Sequence, residues 1–333
     1  MTVEPTDVAW GVELTPEAPP DRMAALAEES ETAGFDAAFV SSHYFNRDPW
    51  VTLALMAEAT TEIALGPGVV NPYDTHPARI AAAVATLSEV SDGRAVCGLG
   101  AGDRSALAAL GIEHDRPLRR VLETMELVRE LWDGESVTRE SVVTVRDASL
   151  ALDPVDVPVF VGAQGPDMLG MSAVHADGVL INAAHPRDLS WAADRLESAS
   201  EDRVADRGPF QTLAFASTSV AESADAAREA ARPPVAFITA GAPEPVIEGH
   251  GIDPAAATAV RSALESGEPA TAFDRVTPRM VDAFCVAGTV ETVAERLTEM
   301  TNHVDGVVFG SPLGPDRSAA IEACAEAIER TKR

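Results

Sequence analysis

Eight short apolar runs, each followed by a stretch with helical spacing, recur along the chain. The runs occupy residues 7–14, 35–41, 62–70, 95–100, 158–163, 178–183, 211–220 and 304–310. Strands buried on both faces read as continuous apolar runs, and strands that alternate with helices assemble a parallel sheet. The first helical stretch begins near Asp21, places Met23, Leu26, Ala27 and Ala33 at helical spacing and stops at Gly34. Further helices are expected over 50–60, 76–90, 118–132, from Pro166, over 186–200 and over 315–330. Residues 137–145 read as a small hairpin or a strand excursion. Eight such units predict an α/β chain folded as a (β/α)8 TIM barrel. The alternative is an open doubly wound sheet, but no GxGxxG turn with a helix and a following acid appears after the first run. Residues 232–287 form an insert between the seventh and eighth strands, with Pro233-Pro234, an apolar run over 235–240 and two expected helices. Long insertions of this kind sit on the catalytic face of barrels. The expectation is one domain over 1–333, with the insert covering that face.

Charge narrows the partners. Asp and Glu number 53 against 25 Lys and Arg, a net charge of −28 over 333 residues, and Lys332 is the sole lysine. Such a surface repels phosphate backbones and anionic membranes, so neither nucleic acid nor membrane is an expected partner. An acidic surface can be simply well solvated. Acid excess with almost no lysine instead favours adaptation to high salt. Cys97, Cys285 and Cys324 are odd in number and far apart, which argues against a disulfide scaffold or a cysteine–metal site, and no metal centre is expected. The N-terminus lacks a charged-then-apolar leader pattern and no apolar stretch reaches spanning length, so a cytoplasmic protein is expected.

In a barrel the chemistry sits at the carboxyl ends of the strands. Glu13 ends the first run, within WGVEL. Burial raises a carboxyl pKa, and a carboxylic acid kept neutral can act as a general acid; a structural carboxylate satisfied by N–H groups or an arginine is the other reading. The third run ends in GPGVVN, with Gly68, Val69 and Asn71. Proline and glycine there suggest either a bulge or an ordinary strand-end turn. Gly162, Ala163, Gln164 and Gly165 precede a helix at Pro166, and Asn182 and Ala183 precede one at Pro186. Both turns could offer N–H groups to a phosphate, or be tight turns needing no ligand. Asp103 either accepts from a ring N–H or caps the helix that follows it. His43 either faces a ligand or caps its loop. His76, ahead of a proline and a helix, reads as a capping or packing residue.

Seven blocks in register carry a family resemblance: WGVEL, LGPGVVNPYDTHP, GRAVCGLGAGD, VFVGAQGP, DGVLINAAHP, VAFITAGAPEPVIEGHGID and VFGSPLGPD. With them the chain resembles, over nearly its whole length, the coenzyme F420-dependent methylenetetrahydromethanopterin reductases of the bacterial luciferase-like superfamily, as a haloarchaeal-type member. The resemblance implies a barrel with a deazaflavin across its carboxyl-terminal mouth and a non-prolyl cis peptide at Gly68–Val69. It implies Glu13 as catalytic acid and Asp103 near the polar edge of the ring. It places Gly162, Ala163, Gln164, Gly165, Asn182 and Ala183 around a phosphate-bearing tail. The implied reaction is hydride transfer from reduced F420 to a 5,10-methylene-tetrahydropterin of methanopterin or folate type, by a homodimer or homotetramer. An FMN-dependent monooxygenase of the same superfamily and a flavin-binding barrel without turnover are the competing readings. One departure stands out: where the family usually carries Asp before a His-Tyr pair, this chain has Ser42, in SSHYFN.

Overall fold

A computed structural model of the chain describes residues 9–43, 45–203 and 208–332. Residues 7 and 8 of the first expected strand, and Tyr44, lie outside the described residues. The chain divides into two compact units, Met1–Ile181 with Ala192–Leu213, and Asn182–Trp191 with Ala214–Arg333.

The first unit contains β1 (Trp10–Glu13), α1 (Pro20–Thr32), β2 (Ala37–Val40), α2 (Pro49–Ala59), β3 (Ala64–Pro67), α3 (Pro77–Val90), β4 (Cys97–Leu99), α4 (Arg104–Ala109) and α5 (Pro117–Trp132). The hairpin β5 (Val137–Glu140) and β6 (Thr144–Ala148) comes next, as expected, then β7 (Val159–Ala163), α6 (Pro166–His175) and β8 (Gly178–Ile181). Helix α7 (Pro186–Ser200) and strand β9 (Gln211–Val220) each hold residues of both units. Pairings β1–β2, β2–β3, β4–β7 and β7–β8 are parallel. Bridges Leu65–Ala95 and Val70–Leu99 join the region of β3 to that of β4. The strand order within this unit is therefore β1-β2-β3-β4-β7-β8.

The second unit contains α8 (Ala224–Gly241), α9 (Glu244–Gly249), α10 (Pro254–Glu265), α11 (Pro269–Asp274), α12 (Pro278–Phe284), β10 (Val286–Gly288), α13 (Val290–Met300), β11 (Gly306–Leu313) and α14 (Arg317–Thr331). Here β9 neighbours β11, and β10 adds to β9 in parallel. Strands β1, β2, β3, β4, β7, β8, β9 and β11 are the eight strands of a (β/α)8 barrel, as the alternation predicted.

Residues 232–287 depart from the expectation of two helices. They contain the end of α8, all of α9 to α12, and most of β10. The apolar run over 235–240 is helical, because it continues the face on which Ala227, Ala231, Val235, Ala236 and Thr239 are buried. Pro233 and Pro234 lie inside that helix. With Val260, Met280 and Phe284, this face builds a core of its own. The last barrel strand also runs on to Leu313, past the expected end at Gly310.

Register separates the two faces of the first unit's sheet. Paired positions in a parallel sheet share a face and successive positions alternate. Cys97, Val159 and Val161 lie on one face. Cys97 feels the charges of Arg129 on α5 and Asp177 after α6, so this face is the one the helices cover; burial pushes its thiol up to about 12. The opposite, inner face carries Gly11, Glu13, Ala37, Phe39, Ala64 and Gly66, continued by Gly98, Phe160 and Gly162. Phe39 and Phe160 are fully buried and fill it, while its glycines keep the remainder open.

Candidate functional site

Glu13 is the last residue of β1, at the carboxyl rim, on the inner face. It is 2% exposed, and the Thr15 hydroxyl donates to its Oε1 at 2.7 Å. Residues two apart on an extended chain share a face, so Thr15 reaches the carboxyl without a bend. The sequence reading missed Thr15; a hydroxyl two positions beyond the acid was the signal available.

The end of β3, one strand beyond the neighbour of β1, provides an apolar floor. The Gly68–Val69 peptide is cis, as the resemblance implied. The Ser41 hydroxyl donates to Gly68 O at 3.2 Å, and Gly68 N donates to Val40 O at 2.9 Å. The Val69 side chain lies where side chains at three neighbouring glycines would point. A Cβ at Gly100 would stand 2.5 Å from Val69 Cγ2, and Cβ atoms at Gly98 and Gly162 would each stand 3.3 Å from Val69 Cγ1. The structure thus brings Gly68, Val69 and Gly162 together, and adds Gly98 and Gly100.

Other expected residues have structural partners of their own. Asn71 is buried, and its Oδ1 accepts from the backbone of Tyr73 and Asp74, closing the turn after β3. Asp103 caps α4, accepting from Ala106 N at 2.8 Å and from the Ser105 hydroxyl. His43 is exposed, and its carbonyl accepts from Asn46 N. His76 caps α3 through Nδ1, as its position suggested.

The turn at 162–165 ends on Gly165, the N-cap of α6, which has no side-chain cap. Gln164 and Gly165 are exposed, and a Cβ at Gly165 would meet no atom within 4 Å. The first turn of α6 therefore presents backbone N–H groups to an open space, although Asp167 lies in the same turn. Ala163 is buried beneath.

In the second unit, Asn182 is exposed and Ala183 half-buried, ahead of α7. His185 Nδ1 accepts from Arg187 N at 3.2 Å. His250 bonds Asp188 Oδ2 at 2.8 Å, and its ring meets that of His185 edge-on, centroids 4.9 Å apart. Burial, then the Arg296 charge and His250, hold His185 below the ordinary histidine value. Sequence reading did not find this cluster, because His250 is 62 positions beyond Asp188 and meets it only where α7 packs on the segment after α9.

The sequence model of the luciferase-like monooxygenase family matches residues 6–305. Over 325 residues the chain is 39% identical to the 5,10-methylenetetrahydromethanopterin reductase of Archaeoglobus fulgidus, covering 96% of this chain and 98% of that protein. It is 37% identical to the reductase of the same name from Methanolobus tindarius, covering 96% and 99%. Among solved structures, the coenzyme F420-dependent tetrahydromethanopterin reductase of Methanopyrus kandleri matches with a TM-score of 0.90 at 34% identity, covering 98% of this chain and 99% of that one.

Proposed function

The chain belongs to the 5,10-methylenetetrahydromethanopterin reductases of the luciferase-like monooxygenase family, and from that premise we propose that it reduces a 5,10-methylene-tetrahydropterin to the 5-methyl form with reduced coenzyme F420, Glu13 supplying the proton. Full-length similarity to these reductases supports the reaction and the cofactor. One observation carries the role of Glu13: a buried carboxyl on the inner face, at the strand end where barrel enzymes place their chemistry.

The residues fit a flat tricyclic cofactor with an anionic tail. Gly98, Gly100 and Gly162 remove the side chains that would crowd Val69. The uncapped first turn of α6 at Gly165 offers N–H donors to a phosphate. Gln164, and Asn182 and Ala183 ahead of α7, are proposed to line the same tail, and His43, Asn71 and Asp103 to border the ring. When bound, reduced F420 supplies the hydride.

The chain's own part is to position and to protonate. The substrate's methylene carbon bridges two nitrogens. A proton from the Glu13 carboxyl to one of them opens that ring and leaves an electrophilic iminium carbon. Thr15, donating to Oε1, holds the carboxyl in one rotamer. Proton transfer by a placed acid is worth roughly 10²- to 10⁴-fold. Burial excludes water that would compete for the iminium.

The expectation of a homodimer or homotetramer is supported by α2, an apolar helix whose Val51 and Leu55 are exposed. Among the described residues, no helix is long and apolar enough to cross a membrane.

The test is an anaerobic assay with reduced F420 against the methanopterin and folate forms of the substrate, in molar KCl. At least one form should be consumed; consumption of neither rejects the reaction. Glu13→Gln should bind F420 normally and lose roughly 100-fold or more in turnover. A variant retaining most of the wild-type rate removes Glu13 from the mechanism.

A further inference from the structure

The turn that leads into α7 carries a histidine for which the reaction as described has no use. His185 comes just after Asn182 and Ala183 and caps the helix twice over. Asp188 N and Leu189 N donate to its carbonyl, and Arg187 N donates to its ring Nδ1 at 3.2 Å. A neutral imidazole that accepts at Nδ1 holds its one proton at Nε2. The ring is half-buried. Burial, the Arg296 charge and His250 outweigh the opposing charges of Asp188 and Asp282 and hold it below the ordinary histidine value. Near neutral pH the ring is therefore an uncharged donor with a single tautomer.

That donor is unspent. Among the described residues the Nε2–H of His185 has no acceptor, and it is not sealed in the interior. The side-chain nitrogens that lack both a partner and accessible surface are His114 Nδ1, Arg120 Nε and Arg296 Nη1. The ring is nevertheless held in place. His250 meets it edge-on with centroids 4.9 Å apart, packs on Phe284, and is fixed by its 2.8 Å bond to Asp188 Oδ2. The same turn offers a positive charge. Arg187 is exposed and has no acidic partner among the described residues, and its guanidinium lies against Gly249, where a Cβ would stand 3.0 Å from Nη2.

We propose that His185 donates its Nε2–H to an oxyanion oxygen of the cofactor's tail, with Arg187 supplying the compensating charge. The proposal rests on the reading that F420 is the cofactor and that Asn182 and Ala183 line its tail. It adds an oriented side-chain donor to the surroundings described for that tail. A hydrogen bond to an ionised oxygen is stronger than one between neutral groups, and a guanidinium matches the geometry of phosphate and carboxylate alike. The role is one of binding and leaves the proton transfer at Glu13 untouched.

His185→Asn is the discriminating variant. Asparagine is a strong helix cap, so it keeps an acceptor for Arg187 N while removing the donor at the far side of the ring. Equilibrium dialysis of F420 on the full chain in molar KCl should show affinity weakened about tenfold or more, as expected for loss of a hydrogen bond to a charged group. The unfolding midpoint should stay close to that of the wild type, and so should turnover and the KM for the methylene-pterin once F420 is saturating. Histidine 15N spectra of the wild type, free and with F420, give a second reading that needs no variant: the His185 Nε2–H resonance should move on binding while Nδ1 remains an acceptor. Unchanged F420 affinity in His185→Asn, a raised pterin KM with F420 affinity intact, or an Nε2–H resonance that F420 does not move would each overturn this proposal alone. A wild-type protein that takes up no F420 would overturn it together with the cofactor reading on which it rests.

Discussion

Arg94 is 6% exposed and donates to the carbonyls of Ala57, Thr60, Ile63 and Ser91 and to the Thr60 hydroxyl. It satisfies carbonyls left over where α2 ends and β3 begins, which water cannot reach. Glu31, at the end of α1, works on the same junction from outside: its Oε1 accepts from the N–H groups of Thr61, Glu62 and Ile63. Burial works against ionisation of Glu31, but those three donors and the Arg94 charge outweigh it and hold the carboxyl below the ordinary glutamate value. A carboxyl depressed in the folded state stabilises the fold above its unfolded value and loses that contribution as pH falls through the folded one. Glu31→Gln should therefore be less stable than the wild type near neutral pH, and the gap should close as pH falls below the ordinary glutamate value and through the depressed folded one. Denaturant midpoints of the two proteins across that range measure it. A gap that stays constant with pH would assign the loss to shape rather than charge. Asp103 is a second residue-scale case: its Oδ1 alone accepts from Ala106 N and the Ser105 hydroxyl to cap α4.

At the scale of elements, the ends of β3, β4 and β7 are defined by what is missing from them. A Cβ at Gly98 would stand 1.9 Å from Pro67 O, an atom of the backbone that cannot swing away. Gly98→Ala should cost roughly 2–3 kcal/mol or more, in the range of severe overpacking, or prevent folding. Gly165 is the contrast: its φ is −87° and its surroundings are open, so Gly165→Ala should leave the unfolding midpoint nearly unchanged while weakening F420, since the new methyl enters the space in front of α6. Thermal unfolding together with equilibrium dialysis of F420 separates the two variants; an unfolding loss in Gly165→Ala equal to that in Gly98→Ala would refute this view of the strand ends. These elements were legible in the sequence for a simple reason. Barrel strands buried on both faces are apolar runs, helices here open on proline, and the strand ends are where polar and glycine residues collect, so Glu13, Gly68, Val69 and the turn at 162–165 could be named from position. The helical set over 232–287 was harder to read. Pro233 and Pro234 inside α8 argue locally against the helix that its buried face nevertheless forms. Thr15, the glycines around Val69, and the His185–His250 contact are properties of packing between segments, which no single stretch of sequence displays.

For the molecule as a whole, the net charge of −28 is the term that sequence and structure leave least balanced. Many arginines are already held by acids: Arg139 bonds Glu126 and Glu130, Arg119 bonds Glu123, and Arg330 bonds Glu291 and Glu326. Pairs of this kind at a surface are worth about 0–1 kcal/mol each, and they leave the excess of carboxylates to repel one another. The screening length shrinks from about 10 Å at 0.1 M salt to about 3 Å at 1 M, so repulsion between exposed acids should fall away over that interval. We therefore expect the unfolding midpoint to rise steeply with KCl up to about 1 M and then to level off, since little repulsion remains to be screened beyond that concentration. Sucrose, which strengthens burial without screening charge, should not reproduce the steep early rise. A midpoint that does not change between low and molar KCl would show that the acidic surface is merely solvated. A rise that continues linearly, and is matched by sucrose, would place the stabilisation in hydrophobic burial instead of in the charges.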